Sequence, residues 1–419
     1  MSLVQTIKGF ADLFTPASDG FTHIESVARE VSRRYGYTEL RTPIVEHTEL
    51  FCRSIGTETD VVQKEMYTFP DRKERSLTLR PEATAGVMRA YIESGRYGME
   101  PVTKVFTYGP MFRYERPQKG RMRQFHQINC ECLGAQGPHT DAETICLLMD
   151  ILRGVGIADV TLLLNSLGCA ECRPGYRAVL AEYLRALAPD ALCEDCRRRI
   201  HTSPLRVLDC KVPTCRQHTE AAPRILDHNC PDCRSHFDTV LDLLGRAGVL
   251  YVLEFRLVRG LDYYCRTTFE AVSGAVGAQS SIAGGGRYDG LIQQLGGPDV
   301  PGVGFAAGME RLSMLLPARL ENEADFFVVA LGDVARDAAF ALVRELRTAG
   351  LAGDMSHTGG SFKSQMRQAD KSGARYSLII GESELAAGQV QVKDMRTGVQ
   401  TAISQNSIAQ TLAQEGQVR

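Results

Sequence analysis

The sequence has no run of about 18 apolar residues, which excludes a membrane-spanning helix. It has no low-complexity tract and no internal repeat. Its first residues, MSLVQTIKGFADLF, contain one Lys and no apolar stretch ending in a small-residue cleavage site. A secretory signal is therefore not expected, and a cytoplasmic protein is. No GxxxxGKS/T segment occurs, so a P-loop is absent. An excess of one charge is lacking too: 48 basic residues face 50 acidic ones, a net charge of -2. That balance argues mildly against non-specific wrapping of nucleic acid. What remains is ordinary globular composition, 44% hydrophobic and 23% charged, unlike a disordered, collagenous or coiled-coil chain. At roughly 100–200 residues per domain, 419 residues imply several domains. Cysteine is plentiful: thirteen is an odd number and a large one for a cytosolic chain. In a reducing compartment these read as metal ligands or buried thiols, not disulfides.

The chain is not uniform. Residues 1–165 mix amphipathic helices with strands. One helix is expected over 21–35, with Ile24, Val27, Val31 and Tyr35 at helical spacing. Strands over 102–114 and 124–133 flank a charged loop containing Pro117 and Gly120, which reads as a long hairpin tip. Residues 166–240 hold eight of the thirteen cysteines and Arg-rich helical stretches. They read as a helical insertion, so the first domain comprises 1–165 and 241–320. That domain resumes with an apolar strand over 250–258 and glycine clusters. A polar linker at 317–324 ends it. Residues 325–419 alternate strand and helix: strands 326–331, 376–380 and 389–393, helices 334–349 and 360–372. This is the pattern of a separate α/β domain.

Three segments suggest chemistry. In GVGFAAG (302–308) the glycines miss the dinucleotide fingerprint by one residue and follow no strand–helix–strand opening. The segment reads instead as a strand-to-helix junction, with Glu310 and Arg311 in the first turns of a helix beginning near Phe305. In the second hairpin strand, alternation sets Phe125, Gln127, Asn129 and Glu131 on one face and His126, Ile128, Cys130 and Cys132 on the other. The first face either meets solvent or lines a polar pocket. Arg113, Arg116, Lys119, Arg121 and Arg123 lie beside it, and a planar guanidinium suits a phosphate or a carboxylate. In the third, Arg259 and Asp262 in LVRGLDYY (257–264) form either an ion pair or part of a site. The same choice holds for Arg287 and Asp289 in AGGGRYDG (283–290), where a simple turn is the plain reading.

Together these segments resemble the class II aminoacyl-tRNA synthetases and, within them, the histidyl-tRNA synthetase family. TPIVE (42–46) sits where the first class signature, a dimer-interface element, would lie. FRYER (112–116) matches the second and GFAAGMERL (304–312) the third. LVRGLDYY and AGGGRYDG match the two histidine-specific signatures. RPEAT (80–84) matches the amino-acid-binding segment, with Ala83 where the family usually has Gly, and Cys265 stands where Asn or Thr is commoner. The resemblance implies an α+β fold: an antiparallel sheet flanked by helices, a helical insertion and a C-terminal α/β anticodon-binding domain. It implies a homodimer that joins L-histidine to ATP, with Mg2+, and passes the histidine to its tRNA. It further implies that Arg113 and Arg259 are catalytic cations at the α-phosphate. Glu115, Arg121 and Arg311 would serve ATP. Glu82, Thr84 and Gln127 would hold the substrate ammonium, Glu131 and Tyr264 its imidazole nitrogens, and Arg113, Arg259, Tyr263 and Tyr288 would complete the histidine-binding set, Arg113 touching ATP as well.

Two features lie outside the reaction itself. Lys363, Arg367, Lys371 and Arg375 recur every fourth residue and read as a basic edge, either a solvated face or a contact for tRNA. Cys169-x2-Cys172 and Cys193-x2-Cys196 have zinc-ribbon spacing, with Cys210, Cys215, Cys230 and Cys233 as a second foursome. Structural Zn2+ is a candidate there. The competing functional reading is a non-catalytic paralogue, the regulatory subunit of ATP phosphoribosyltransferase. The presence of Arg113, Arg259 and Arg311 together, and of the C-terminal domain, speaks for the ligase.

Overall fold

The computed structural model describes residues 4–57, 59–188, 190–258, 263–317 and 324–416. It divides into two compact units, Met1–Leu320 and Glu321–Arg419. The first is built on an eight-stranded sheet. Its central pairs are antiparallel: Thr103–Phe112, Gln124–Leu133, Gly302–Gly308, Ser281–Arg287, Cys265–Val272 and Thr161–Ser166, in that spatial order. A two-residue parallel strand closes each edge, Thr38–Glu39 and Val252–Leu253.

Period-two alternation decides what each face of this sheet does. Ile128, Cys130 and Cys132 enter the apolar core together with Val303, Phe305 and Ala307 of the neighbouring strand. Helices cover that core because their own apolar residues recur at helical spacing. Helix Ala17–Arg34 supplies Ile24, Ala28 and Val31, and helix Pro138–Val155 supplies Leu148, Ile151 and Val155. On the opposite face the register sets Gln127, Asn129 and Glu131 beside Gly308, Ala306 and Gly304.

Two elements differ from the sequence reading. The helix expected near Phe305 starts four positions later, as Met309–Ser313, because Gly302–Gly308 pairs as a strand on both sides. Its small residues are there to leave room above that strand. The apolar strand expected over 250–258 is only Val252–Leu253. It lies at the sheet edge with one partner, both its residues are exposed, and the chain turns away after it.

Between Ser166 and the helix Pro231–Arg246 the chain forms a helical module with its own apolar cluster. Tyr176, Leu180 and Leu184 of helix Cys172–Arg185 meet Cys196 and Ile200 of helix Glu194–Thr202. Helix Pro231–Arg246 itself rejoins the main core through Phe237, Val240 and Leu244. The cysteines are grouped differently from the sequence reading. Cys169 and Cys172 meet Cys230 and Cys233, while Cys193 and Cys196 meet Cys210 and Cys215. The first and last pairs flank the module where the chain leaves and re-enters, so folding brings them together around the inner four.

In the second unit, strands Gly353–Met355, Phe326–Ala330 and Tyr376–Ile380 run parallel, and Gln389–Asp394 and Gln400–Ser404 extend the sheet antiparallel. Val328 and Ala330 pack with helix Asp333–Thr348, while Phe327 and Val329 pack with Ala369 of helix Phe362–Ser372. Alternation along one strand thus feeds two cores, as a sheet covered on both faces requires.

Candidate active site

The polar face of the hairpin strand is buried, not solvated. Glu131 is 1% exposed and accepts hydrogen bonds from Thr84 Oγ1 (2.8 Å) and from the Tyr288 hydroxyl. Burial pushes its pKa up to about 8, with the nearby Glu82 carboxyl adding to the rise. A Cβ on Gly304, directly opposite in the sheet, would overlap Glu131 Oε2, so only glycine leaves the carboxyl its place.

Glu82 is buried too, and burial raises its pKa. Its carboxyl accepts from the backbone N–H groups of Thr84 (2.6 Å) and Ala85 (2.9 Å), where helix Thr84–Glu93 begins. It thereby satisfies two donors that a helix start leaves open. Gln127 Oε1 and Asn129 Oδ1 are buried with no hydrogen-bond partner among the described residues. Unpaired buried acceptors are costly, and both belong to residues that line the same cavity.

That cavity, of about 60 Å³, collects Glu82, Thr84, Gln127 and Glu131, the residues Tyr263, Tyr264 and Tyr288, and Arg113. The three tyrosine rings stand against one another, Tyr263 and Tyr264 with centroids 4.6 Å apart. A second cavity of about 200 Å³ adjoins it, lined by Glu115, Arg121, Glu310 and Arg311. The two share Arg113, Gln127 and Ala306. Arg113 is held there by donating Nε to the Pro81 carbonyl (2.8 Å) and by lying over the Phe125 ring at 5.4 Å. Arg121 pairs with Glu115. Arg311 donates to the Gly120 and Ser281 carbonyls at 3.1 and 2.5 Å, tying helix Met309–Ser313 to the hairpin tip and to the adjacent strand. Burial and the neighbouring Arg121 pull its pKa down, yet a guanidinium stays charged.

Most of the predicted site residues therefore meet. Arg259 lies outside the described residues, as does Asp262. Lys363, Arg367 and Lys371 stand exposed on helix Phe362–Ser372 in the second unit. Arg375 does not continue their edge, because Gly373 ends the helix in the left-handed conformation and Arg375 lies over Tyr376 at 4.9 Å. The segment 283–290 is a strand followed by a turn, and its arginine does more than pair locally. Arg287 is fully buried and binds Asp289 at 3.0 Å and also Asp141, through Nε, at 2.9 Å. Burial alone would raise the Asp141 pKa, but His236 (2.8 Å) and Arg287 together lower it. Sequence reasoning missed Asp141, which no motif marks. It also left Asn129 without a role, although the alternation had placed it on the right face. Glu310, singled out with Arg311 but given no role, accepts from the His126 backbone N–H at 2.9 Å with both oxygens.

Comparison with known proteins adds independent findings. A family model described as histidyl-tRNA synthetase matches residues 9–312, and one described as an anticodon binding domain matches residues 325–415. A curated histidine–tRNA ligase of Nitratidesulfovibrio vulgaris (strain DP4) is 64% identical over 416 residues, covering 99% of this chain and all of that one. Among solved structures, apo histidyl-tRNA synthetase of S. aureus is 34% identical with a TM-score of 0.80, covering 98% of this chain and 100% of that chain. A Bacillus halodurans structure described as ATP phosphoribosyltransferase regulatory subunit/histidyl-tRNA synthetase is 17% identical with a TM-score of 0.66, covering 91% of this chain and 98% of that one, and shares the fold.

Proposed function

The chain belongs to the histidyl-tRNA synthetase family, and on that premise we propose how its residues divide the work of an ATP-dependent histidine–tRNA ligase. The observation that carries the assignment is the pair of adjoining cavities with Arg113 in their shared wall. Histidine occupies the smaller and ATP the larger. A histidine carboxylate oxygen then attacks the α-phosphorus, a P–O bond forms, the bond to the β-phosphate oxygen breaks, and pyrophosphate leaves. Arg113 lies where the carboxylate and α-phosphate meet, and its planar fork stabilises the charge that builds there. Arg311 and Arg121 take the phosphate tail. Glu115 and Glu310, the carboxyls lining that cavity, are the groups that would face Mg2+, which shields phosphate charge when bound. By resemblance Arg259 supplies a second cation.

In the smaller cavity Glu82, Thr84 and Gln127 take the ammonium. Glu131 and Tyr264 take the two imidazole nitrogens. A ring that offers one donor and one acceptor is best told from its analogues by a pocket that engages both. Transfer to the terminal 3′-hydroxyl of the histidine tRNA follows. Residues 325–419 bind the anticodon, with Lys363, Arg367 and Lys371 facing phosphate. Residues 1–165 and 241–320 carry catalysis, and 166–240 form the insertion. The exposed Ile44 and Val45 of the 42–46 segment support a homodimer formed there. No helix among the described residues is long and apolar enough to cross a membrane, in keeping with a cytoplasmic ligase. Zinc would be structural, since none of the eight module cysteines lines either cavity. The regulatory-paralogue reading is not favoured, because the ligase match runs through the C-terminal unit. Histidine-dependent pyrophosphate exchange, with tRNA charging measured alongside, tests the assignment. Exchange without a histidine requirement would overturn it.

A further inference from the structure

We infer that the cysteine module holds two structural zinc ions, one at its root and one inside it, and that the root ion positions a helix supporting the histidine pocket. Cys169, Cys172, Cys230 and Cys233 bring their sulfurs within 4.8 Å of one another, and Cys193, Cys196, Cys210 and Cys215 do the same. A tetrahedral zinc with Zn–S bonds of ~2.3 Å spaces its sulfurs ~3.8 Å apart. Cys169 and Cys172 are 3.5 Å apart, Cys193 and Cys210 3.9 Å. All eight are free thiols, with no disulfide among them.

The two groups are also built alike. Cys193 and Cys230 each precede a helix with the same backbone angles, φ -64° and ψ 163°. Each turns its backbone N–H onto a sulfur of the opposite pair, Cys215 and Cys172 respectively, at 3.1 Å. Such a donor favours a thiolate over a thiol, and so does the helix start beyond it. Four sulfurs packed this closely can all ionise only around a cation, and a closed, all-sulfur set suits structural zinc. Binding exchanges the four thiol protons for one Zn2+.

The root group joins the chain just after strand Thr161–Ser166 to the opening of helix Pro231–Arg246. That helix carries His236 to Asp141, Asp141 holds Arg287, and Arg287 precedes Tyr288, which bonds Glu131. The inner group sits instead in the module's own apolar cluster, to which Cys196 and Cys215 belong.

Purified from zinc-replete cells without chelator, the full chain should carry two zinc ions by mass spectrometry of the metal. Replacement by Co2+ should give the charge-transfer absorption of tetrahedral thiolate ligation. Cys233→Ser and Cys196→Ser should each lower the count to one. In pyrophosphate exchange Cys233→Ser should raise the KM for histidine severalfold with little change in kcat, and Cys196→Ser should leave both as they are. A wild-type count below one after reconstitution with Zn2+ and reductant overturns both sites, and a count of one overturns the pair. Equal KM values in the two variants overturn the positioning role. Should a serine variant not fold, the wild-type count and cobalt spectrum still decide the sites. The metal count is independent of the ligase reading; only the KM comparison rests on it.

Discussion

Histidine binding should weaken above about pH 8 because of one carboxyl. Glu131 is buried beside Glu82, Tyr263 and Tyr288, with Arg113 on the wall shared with the larger cavity. Burial pushes its pKa from 4.5 to about 8. Free imidazole changes charge near ~6.5. Between those values the ring and the carboxyl meet with one proton between them, enough for a single strong hydrogen bond on either side. Below the window a proton must leave on binding; above it the carboxylate meets only the neutral ring's own N–H, and the charge-paired bond returns only with uptake of a proton. Each pH unit outside costs about 1.4 kcal/mol, or tenfold in affinity. Affinity near pH 9 should therefore be about tenfold below its plateau.

The same shift acts on stability. The native state keeps a proton that the unfolded chain has already lost, so this contribution is complete below pH 4.5 and disappears as the pH rises through about 8. Glu131→Gln removes the titration. It should weaken histidine binding by roughly ten- to a hundredfold, as loss of a charged hydrogen-bond partner does, and flatten the alkaline limb. Calorimetric titration of histidine from acid to alkaline pH measures both proteins. The substrate ammonium contributes its own limb equally to each, so only the difference counts. An alkaline limb of the same depth in Glu131→Gln refutes the reasoning.

Other perturbations separate the parts of the site. Gly304→Ala forces Glu131 aside and should lower kcat/KM for histidine by about a hundredfold in pyrophosphate exchange, since a small misplacement has that effect; near-normal exchange would show that the carboxyl can move. Arg259→Lys should nearly abolish adenylate formation while histidine still binds, and wild-type exchange in that variant would remove Arg259 from the chemistry. Charge reversal at Arg367 and Lys371 together should raise the KM for tRNA and reduce the salt dependence of binding by about one unit of slope per lost phosphate contact, leaving pyrophosphate exchange intact. An unchanged KM for tRNA would leave that face to solvent.

How much of this was legible depended on the distance over which each signal acts. Glu131, Asn129 and Gln127 were readable because period two is local: three polar residues on one strand face already imply either water or a pocket. The strands and longer helices of the second unit up to residue 394 were readable from equally local patterns, down to the exposed row Lys363, Arg367 and Lys371, whereas Glu382–Ala386, Gln400–Ser404 and Ile408–Gly416 were missed. Arg375 fell off that row because a positive-φ glycine stopped the helix first. What spacing could not reveal is which local pieces meet. Arg287 looked like half of a turn with Asp289, yet its deeper partner Asp141 lies 146 residues away.

The cysteine pairs show the same limit in reverse. Each pair was visible from its spacing, but the partner of each pair depends on where the chain re-enters the sheet. The segment 302–308 is the instructive error. Alanine favours helix and glycine is poor in either element, so the residues themselves did not announce a strand. The sheet neighbours decided it, and the glycines make sense only from what stands over them, since a side chain on Gly304 would overlap Glu131 and one on Gly302 would overlap Tyr288. Residue types thus announced the chemistry, while long-range register determined that it would be buried, empty enough for a ligand, and joined through Arg113 to a second cavity.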